Sequence, residues 1–198
     1  MKILLATHNL NKIKEIVNAL KDTGYEILSL NDFPDMPDTI EDGDTLEHNS
    51  LKKAKEIYKF SGITTLADDT GLEVEYLNGE PGVFAARWAG EGCTYADNNR
   101  KMLRELKGVP YEKRKAVFRC VITLYGKNIL KISEGVLKGH ITENSTGFEG
   151  FGYDPIFIPE GYNITLAEMS LSDKNKISHR GLAVKRMVEI IRQMKKAD

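Results

Sequence analysis

A chain of 198 residues exceeds the commonest single-domain size and is too short for two large domains, so a single domain over 1–198, of one or two lobes, is expected. Lys and Arg number 28 against 29 Asp and Glu, a net charge of -1, which excludes the overall positive field that holds a nucleic acid. No run approaches the about 18 apolar residues of a membrane span, and the apolar stretch after Lys2 is too short for a signal peptide. Cys93 and Cys120 fit neither a metal spacing nor a disulfide framework, so the expectation is a cytoplasmic protein with reduced thiols that touches neither membrane nor nucleic acid.

Residues 2–6 form an apolar run that stops at Thr7-His8-Asn9, and apolar residues then recur at Ile13, Ile16, Val17 and Leu20, the pattern of a strand feeding an amphipathic helix. Gly24 stops that helix, and Tyr25 to Leu30 reads as a second strand. From Asn31 to Asp44 the chain is acidic and broken by Pro34, Pro37 and Gly43, which predicts an exposed loop. Thr45 is placed to cap a second helix that carries Leu51, Ala54, Ile57 and Tyr58 on one face and stops near Ser61-Gly62. Ile63 to Ala67 is a third short strand, running straight into Asp68-Asp69-Thr70-Gly71. Strand, helix, strand, helix, strand predicts α/β layering. Beyond a loop rich in Gly and Pro, a helix with Met102, Leu103 and Leu106 inward ends at Gly108 and Pro110. Lys115 to Leu137 alternates as β structure, with Gly126-Lys127-Asn128 turning the chain back into Ile129 to Ser133. A last helix begins near Ser178 and places Ala183, Met187, Ile190 and Met194 on one stripe, while His140 reads as ordinary surface.

Four polar clusters fall where α/β proteins place ligands, at strand ends, helix starts and Gly-rich loops. Thr7-His8-Asn9 with Lys12 offers a helix N-terminus, a hydroxyl, an amide and an ammonium, which suit a phosphate; equally, Thr7 or Asn9 is a simple cap. Asp68-Asp69 at the end of a buried strand suits a Mg²⁺ ion and a water to be deprotonated, or an Asp-rich turn. Thr146 to Pro155 combines three glycines with Phe151 and Tyr153, a surface for a flat base or a tight turn around core aromatics. Lys174, His179 and Arg180 crowd cations at the opening of the last helix, against the helix dipole, which points to a bound anion or to solvated basic residues.

Taken in order, Thr7-x-Asn9-x-x-Lys12-x-x-Glu15, Ala67-Asp68-Asp69-Thr70-Gly71-Leu72, Pro81-Gly82-Val83-Phe84-x-Ala86-Arg87, Gly150-Phe151-Gly152-Tyr153-Asp154-Pro155 and Ser178-His179-Arg180-Gly181 resemble the inosine triphosphate pyrophosphatase family over essentially the whole chain. The resemblance implies a two-lobed mixed α/β fold with a long central mixed sheet flanked by helices, an active-site cleft between the lobes, Mg²⁺ dependence and a homodimer. It implies hydrolysis of non-standard purine triphosphates (ITP, dITP, XTP) to the monophosphate and pyrophosphate. It assigns Thr7, Asn9 and Lys12, with His8 between them, and Lys53 to the phosphates, Asp69 to the metal and the general-base role with Asp68 beside it, and Thr70 to the substrate. Phe151, Gly152, Tyr153, Asp154, His179 and Arg180 are assigned to the base, and Lys174 to the substrate.

Three positions depart from the family pattern. Thr70 stands for Ser, Trp88 for Tyr, and His48 for a Glu counted as a metal ligand. Imidazole suits Mg²⁺ poorly, and Glu47 points about 100° away on a helix, so weakened metal binding is expected unless position 48 acts mainly as the third residue of a Thr-x-x-Glu cap. Two further readings are a pyrimidine triphosphate (dTTP or UTP) pyrophosphatase of related fold and a nucleotide-binding sensor that has lost catalysis through His48.

Overall fold

The order of elements in the computed structural model, which describes residues 2–197, is β1 (Lys2–Leu5), α1 (Leu10–Leu20), β2 (Glu26–Ser29), α2 (Leu46–Ser61), β3 (Thr65–Val74), β4 (Pro81–Gly82), α3 (Tyr95–Glu105), β5 (Lys115–Gly126), β6 (Ile129–Ile141), β7 (Phe157–Pro159), α4 (Leu171–Ile177) and α5 (His179–Ala197). Among the described residues the strands order as β2-β1-β3-β5-β6-β7, with β4 paired to β3. β1 runs parallel to β2 and β3, whereas β4 and β7 run antiparallel to β3 and β6, so the fold is α/β with a mixed sheet. No helix among the described residues is long and apolar enough to cross a membrane.

The chain divides into two compact units, each assembled from separated segments: Met1–Asp69, Cys120–Gly135 and Arg180–Asp198 in the first, Thr70–Arg119 and Val136–His179 in the second. β3, β5 and β6 each pass from one unit into the other. In the first unit the apolar run of β1 is explained by burial on both faces. Ile3 and Leu5, with Leu66 of β3, pack against Ile16 and Leu20 of α1 and Ala183, Met187 and Ile191 of α5. Leu4, Ala6 and Ala67 point the other way and pack against Ala54 and Ile57 of α2, with Leu30 and Met36. Period-two alternation thus assigns α1 and α5 to one face and α2 to the other.

The core of the second unit gathers Leu72, Val74, Met102, Leu106, Phe118, Ile156 and Phe157. Buried Arg114 closes the end of α3: its guanidinium donates to the carbonyls of Leu106, Val109 and Thr142 at 2.7, 2.9 and 2.7 Å. A Cβ at Gly139 would lie 2.3 Å from the Ile158 carbonyl oxygen, so the close approach of β6 and β7 demands glycine.

Several elements differ from the sequence-based reading. β3 does not stop at Ala67 but carries Asp68 and Asp69 inside the strand. β6 runs past Ser133 to Ile141, and α4 precedes the last helix, which opens at His179 after an extended Ser178. The acidic segment has no long element, as expected, yet it is not simply exposed: Met36 is in the core and Gly43 is buried. His140 is half-buried and stacked on Tyr111 with ring centroids 4.9 Å apart.

Candidate functional site

Adjacent residues of a strand face opposite sides, so Asp68 follows Leu66 toward α1 and α5, and Asp69 follows Ala67 toward α2. Their partners fit this division. Asp68, 1% exposed, accepts from Lys12 Nζ of α1 at 3.0 Å and from Arg180 Nε of α5 at 3.2 Å. Arg180 in turn donates through Nη1 to Glu15 Oε2 at 2.8 Å. Burial alone would raise the Asp68 pKa, but the charges of Lys12, Arg180 and Lys53 outweigh it and hold the carboxyl well below the usual carboxylate range. Of the cations crowded at the opening of the last helix, Arg180 is therefore answered by the protein's own carboxylates, Asp68 and Glu15.

Asp69 stands in a different field. Burial first, and then the negative charge of Glu41, push its pKa up to about 6, against the pull of Lys53, Lys12 and a side-chain hydrogen bond from Asn49. Glu41 is in turn ion-paired with Lys53. Burial works against the charge of Lys53, but Glu41, Asp68 and Asp69 overcome it and raise that pKa. Glu41 was not singled out in the sequence, where nothing separates it from its acidic neighbours; the fold brings it to Asp69. His48 is exposed, and its ring lies against the loop: a Cβ on Gly43 would sit 2.8 Å from its Cγ. Its backbone N–H donates to Thr45 Oγ1 at 3.1 Å, the capping bond expected of the third helical residue.

At the start of α1, Asn9 is the cap: its Oδ1 accepts from Asn11 N at 3.0 Å and Lys12 N at 3.3 Å, and Thr7 Oγ1 accepts from Asn9 N at 3.1 Å. This caps the helix and presents Lys12 beside Asp68. His8 is exposed, with Nδ1 3.1 Å from Asn31 Oδ1.

The second unit carries the glycine-aromatic turn. Gly150 and Gly152 adopt φ of 73° and 65°, which side-chain-bearing residues avoid, and a Cβ on Gly150 would lie 2.2 Å from Asp154 Oδ2. That oxygen accepts from Phe151 N at 2.8 Å and from Lys174 Nζ at 2.7 Å. Lys174, from the last turn of α4, also lies 4.8 Å from the centroid of the Phe151 ring. Asn99 Nδ2 donates to the Gly152 carbonyl at 3.0 Å. Phe151 is half-buried, but Tyr153 is a core residue whose hydroxyl donates to Ala85 O at 2.9 Å, so only Phe151 of the two aromatics lies partly open. His179 is buried and stacked on Phe118, centroids 4.4 Å apart with 11° between planes. Thr70, half-buried, follows Asp69 on β3.

The donor set suits Mg²⁺. Among the described residues no group of three or more His, Cys, Asp or Glu gathers for a metal, but Asp69 and Glu41 are neighbouring oxygen donors whose mutual repulsion a divalent cation relieves. One or two carboxylates completed by substrate phosphates is the usual way proteins hold this ion. In metal-free protein, carbon-13 NMR is expected to show the Asp69 carboxyl titrating near pH 6, protonated below and ionised above. Added Mg²⁺ moves that midpoint down; an unmoved midpoint removes Asp69 from the metal.

Residues 3–190 match the model of the Ham1 family. A dITP/XTP pyrophosphatase of Caldanaerobacter subterraneus subsp. tengcongensis is 48% identical over 192 residues, 96% of each chain. The structure of a HAM1 protein from Coxiella burnetii superposes with a TM-score of 0.90 at 36% identity, covering 98% of this chain and 99% of that one. The Ham1 protein of Staphylococcus aureus superposes with a TM-score of 0.88 at 34% identity, covering 98% and 100%.

Proposed function

Because the chain belongs to the Ham1 family, we propose that it hydrolyses non-standard purine nucleoside triphosphates, dITP, ITP and XTP, to the monophosphate and pyrophosphate. The observation that carries this reading is Asp69: a buried carboxyl with a pKa pushed to about 6, poised near neutrality as a proton acceptor, and flanked by the ammonium groups of Lys53 and Lys12. Water attacks the α-phosphorus, Asp69 takes its proton, the bond to the bridging oxygen breaks and pyrophosphate leaves. Lys53 and Lys12 stabilise the charge that builds on the phosphate oxygens, which is the larger part of phosphoryl-transfer catalysis. Asp69 and Glu41 would hold Mg²⁺, which when bound supplies charge neutralisation to the triphosphate. Thr7, His8 and Asn9 bring the positive end of the α1 dipole to the phosphates, Asn9 capping the N–H groups of Asn11 and Lys12.

Asp68 has a supporting part in this scheme, as the counter-ion that fixes Lys12 and Arg180. The base is assigned to the turn of Gly150 to Asp154, ordered by Lys174, with His179 and Thr70. Donors facing the purine 6-position favour an oxygen there over the amino group of adenine. The case for a non-catalytic sensor starts from the missing Glu at position 48; the charge of Glu41 on Asp69 supports a second carboxylate in that role and favours the enzyme over the sensor. The same proposal includes a cytoplasmic location and a homodimer, and sedimentation of the purified chain tests the homodimer.

Pyrophosphate release from a panel of triphosphates with Mg²⁺ decides the reading. dITP and XTP are expected to exceed dATP in kcat/KM by about 10²-fold or more. A preference for UTP or dTTP, or release from none of the panel, overturns it.

A further inference from the structure

The carboxyl of Asp69 and the loop that carries Glu41 come from distant parts of the chain, and one buried side chain touches both. Asn49 lies in the first turn of α2 and is 1% exposed. Its Oδ1 accepts from the backbone N–H of Gly43 at 2.8 Å. Because that carbonyl faces a donor, the amide nitrogen is the end that meets Asp69, and it donates to the carboxylate. The loop is fitted to this amide: a Cβ on Gly43 would stand 2.7 Å from Asn49 Oδ1, so any side chain there displaces it. The helix start is itself fixed, with Thr45 Oγ1 capping His48 N at 3.1 Å and Ala54 and Ile57 anchored in the core.

We propose that Asn49 is a positioning residue, which aims the Asp69 carboxylate with one end of its amide and holds the Glu41 loop beside it with the other. The proposal rests on the assignment of Asp69 as proton acceptor. Asparagine is required by the chemistry of the two contacts. Asp at this place keeps an acceptor for Gly43 but sets a like charge against Asp69 and lacks the donor. Leu fills a similar volume and makes neither bond.

The test is pyrophosphate release from dITP by Asn49→Leu and Asn49→Asp, each alone and combined with Asp69→Asn, alongside melting temperatures. Each single variant is expected to lower kcat by about 10²-fold with KM changed by less than about threefold, because misaimed catalytic groups cost rate rather than affinity. In the Asp69→Asn background the same changes are expected to lower the residual kcat by less than about twofold, since a residue acting through Asp69 has nothing left to aim. A purely structural role gives equal losses in both backgrounds, and that result overturns the proposal. So does a single variant with kcat within about twofold of the unsubstituted protein. Should Asn49→Leu fail to fold, Asn49→Asp, which keeps the acceptor for Gly43, decides. If Asp69→Asn itself leaves kcat unchanged, the functional reading falls; if that variant is impaired while the Asn49 variants are not, only the positioning role falls.

Discussion

Replacing Asp69 with Asn is expected to lower kcat for pyrophosphate release by about 10³-fold while the protein remains as stable as before, or becomes more so. The side chains are nearly identical in shape, so the packing against α2 is preserved. An amide cannot take the proton of the attacking water, and the charge that attracts a divalent cation goes with it. The stability half follows from the sign of the pKa shift. A folded-state value of about 6, above the ordinary 3.8, means that folding disfavours the ionised form, so Asp69 subtracts stability as pH rises through that interval. A neutral amide removes the penalty. Steady-state kinetics with calorimetry near pH 7.5 checks both halves together; kcat within about tenfold of the parent removes Asp69 from its role.

Arg180→Met is expected to have the largest effect on folding, a loss of about 3–5 kcal/mol at neutral pH. Methionine keeps much of the length of the side chain but leaves two buried carboxylates, Asp68 and Glu15, without the cation that Nε and Nη1 bring to them at 3.2 and 2.8 Å. Lys12 still reaches Asp68, which keeps the loss from being greater. The pH dependence has the opposite sense to that of Asp69. Asp68 has a depressed folded-state pKa, so its stabilisation is present above its unfolded value near 3.8 and disappears on acidification through the lower folded value. The deficit of the variant against the parent therefore narrows below about pH 4 in denaturant titrations. A deficit below about 1 kcal/mol at pH 7 contradicts the account.

Much of this was legible beforehand because it is local. The apolar run of β1, the Thr45 cap and Gly62 stop of α2, and the hairpin turned at Lys127-Asn128 all follow from short-range pattern, and Asn128 does adopt the positive φ of 60° that such a turn asks for. The glycines at 150 and 152 were visible as a close turn for the same reason. What was hidden depends on partners remote in sequence. Asp68 and Asp69 looked like the end of a strand, since two adjacent charges break an apolar pattern. They are inside it, because Arg180, 112 positions away, and Lys12 neutralise the first. Glu41 was lost in an acidic stretch whose composition implies solvent, and Asn49 lay unnoticed in a helix start. Tyr153 looked like a stacking face, yet it is core, because the turn that exposes part of Phe151 points its neighbour but one inward.

The two aspartates differ in neighbours only because the pleat of β3 sends them to opposite sides. Substitutions along this strand change one environment at a time, but a change of length does not. One residue inserted between Leu66 and Asp68 carries Asp68 into the place of Asp69, toward the asparagine, and Asp69 on to the place of Thr70, whereas one deleted carries Asp69 into the place of Asp68, toward the arginine, and Asp68 back to the place of Ala67. Either change leaves one of the two sites without its carboxylate while the composition of the segment stays almost the same. The strand is thus a phase-locked segment, tolerant of chemistry and intolerant of spacing.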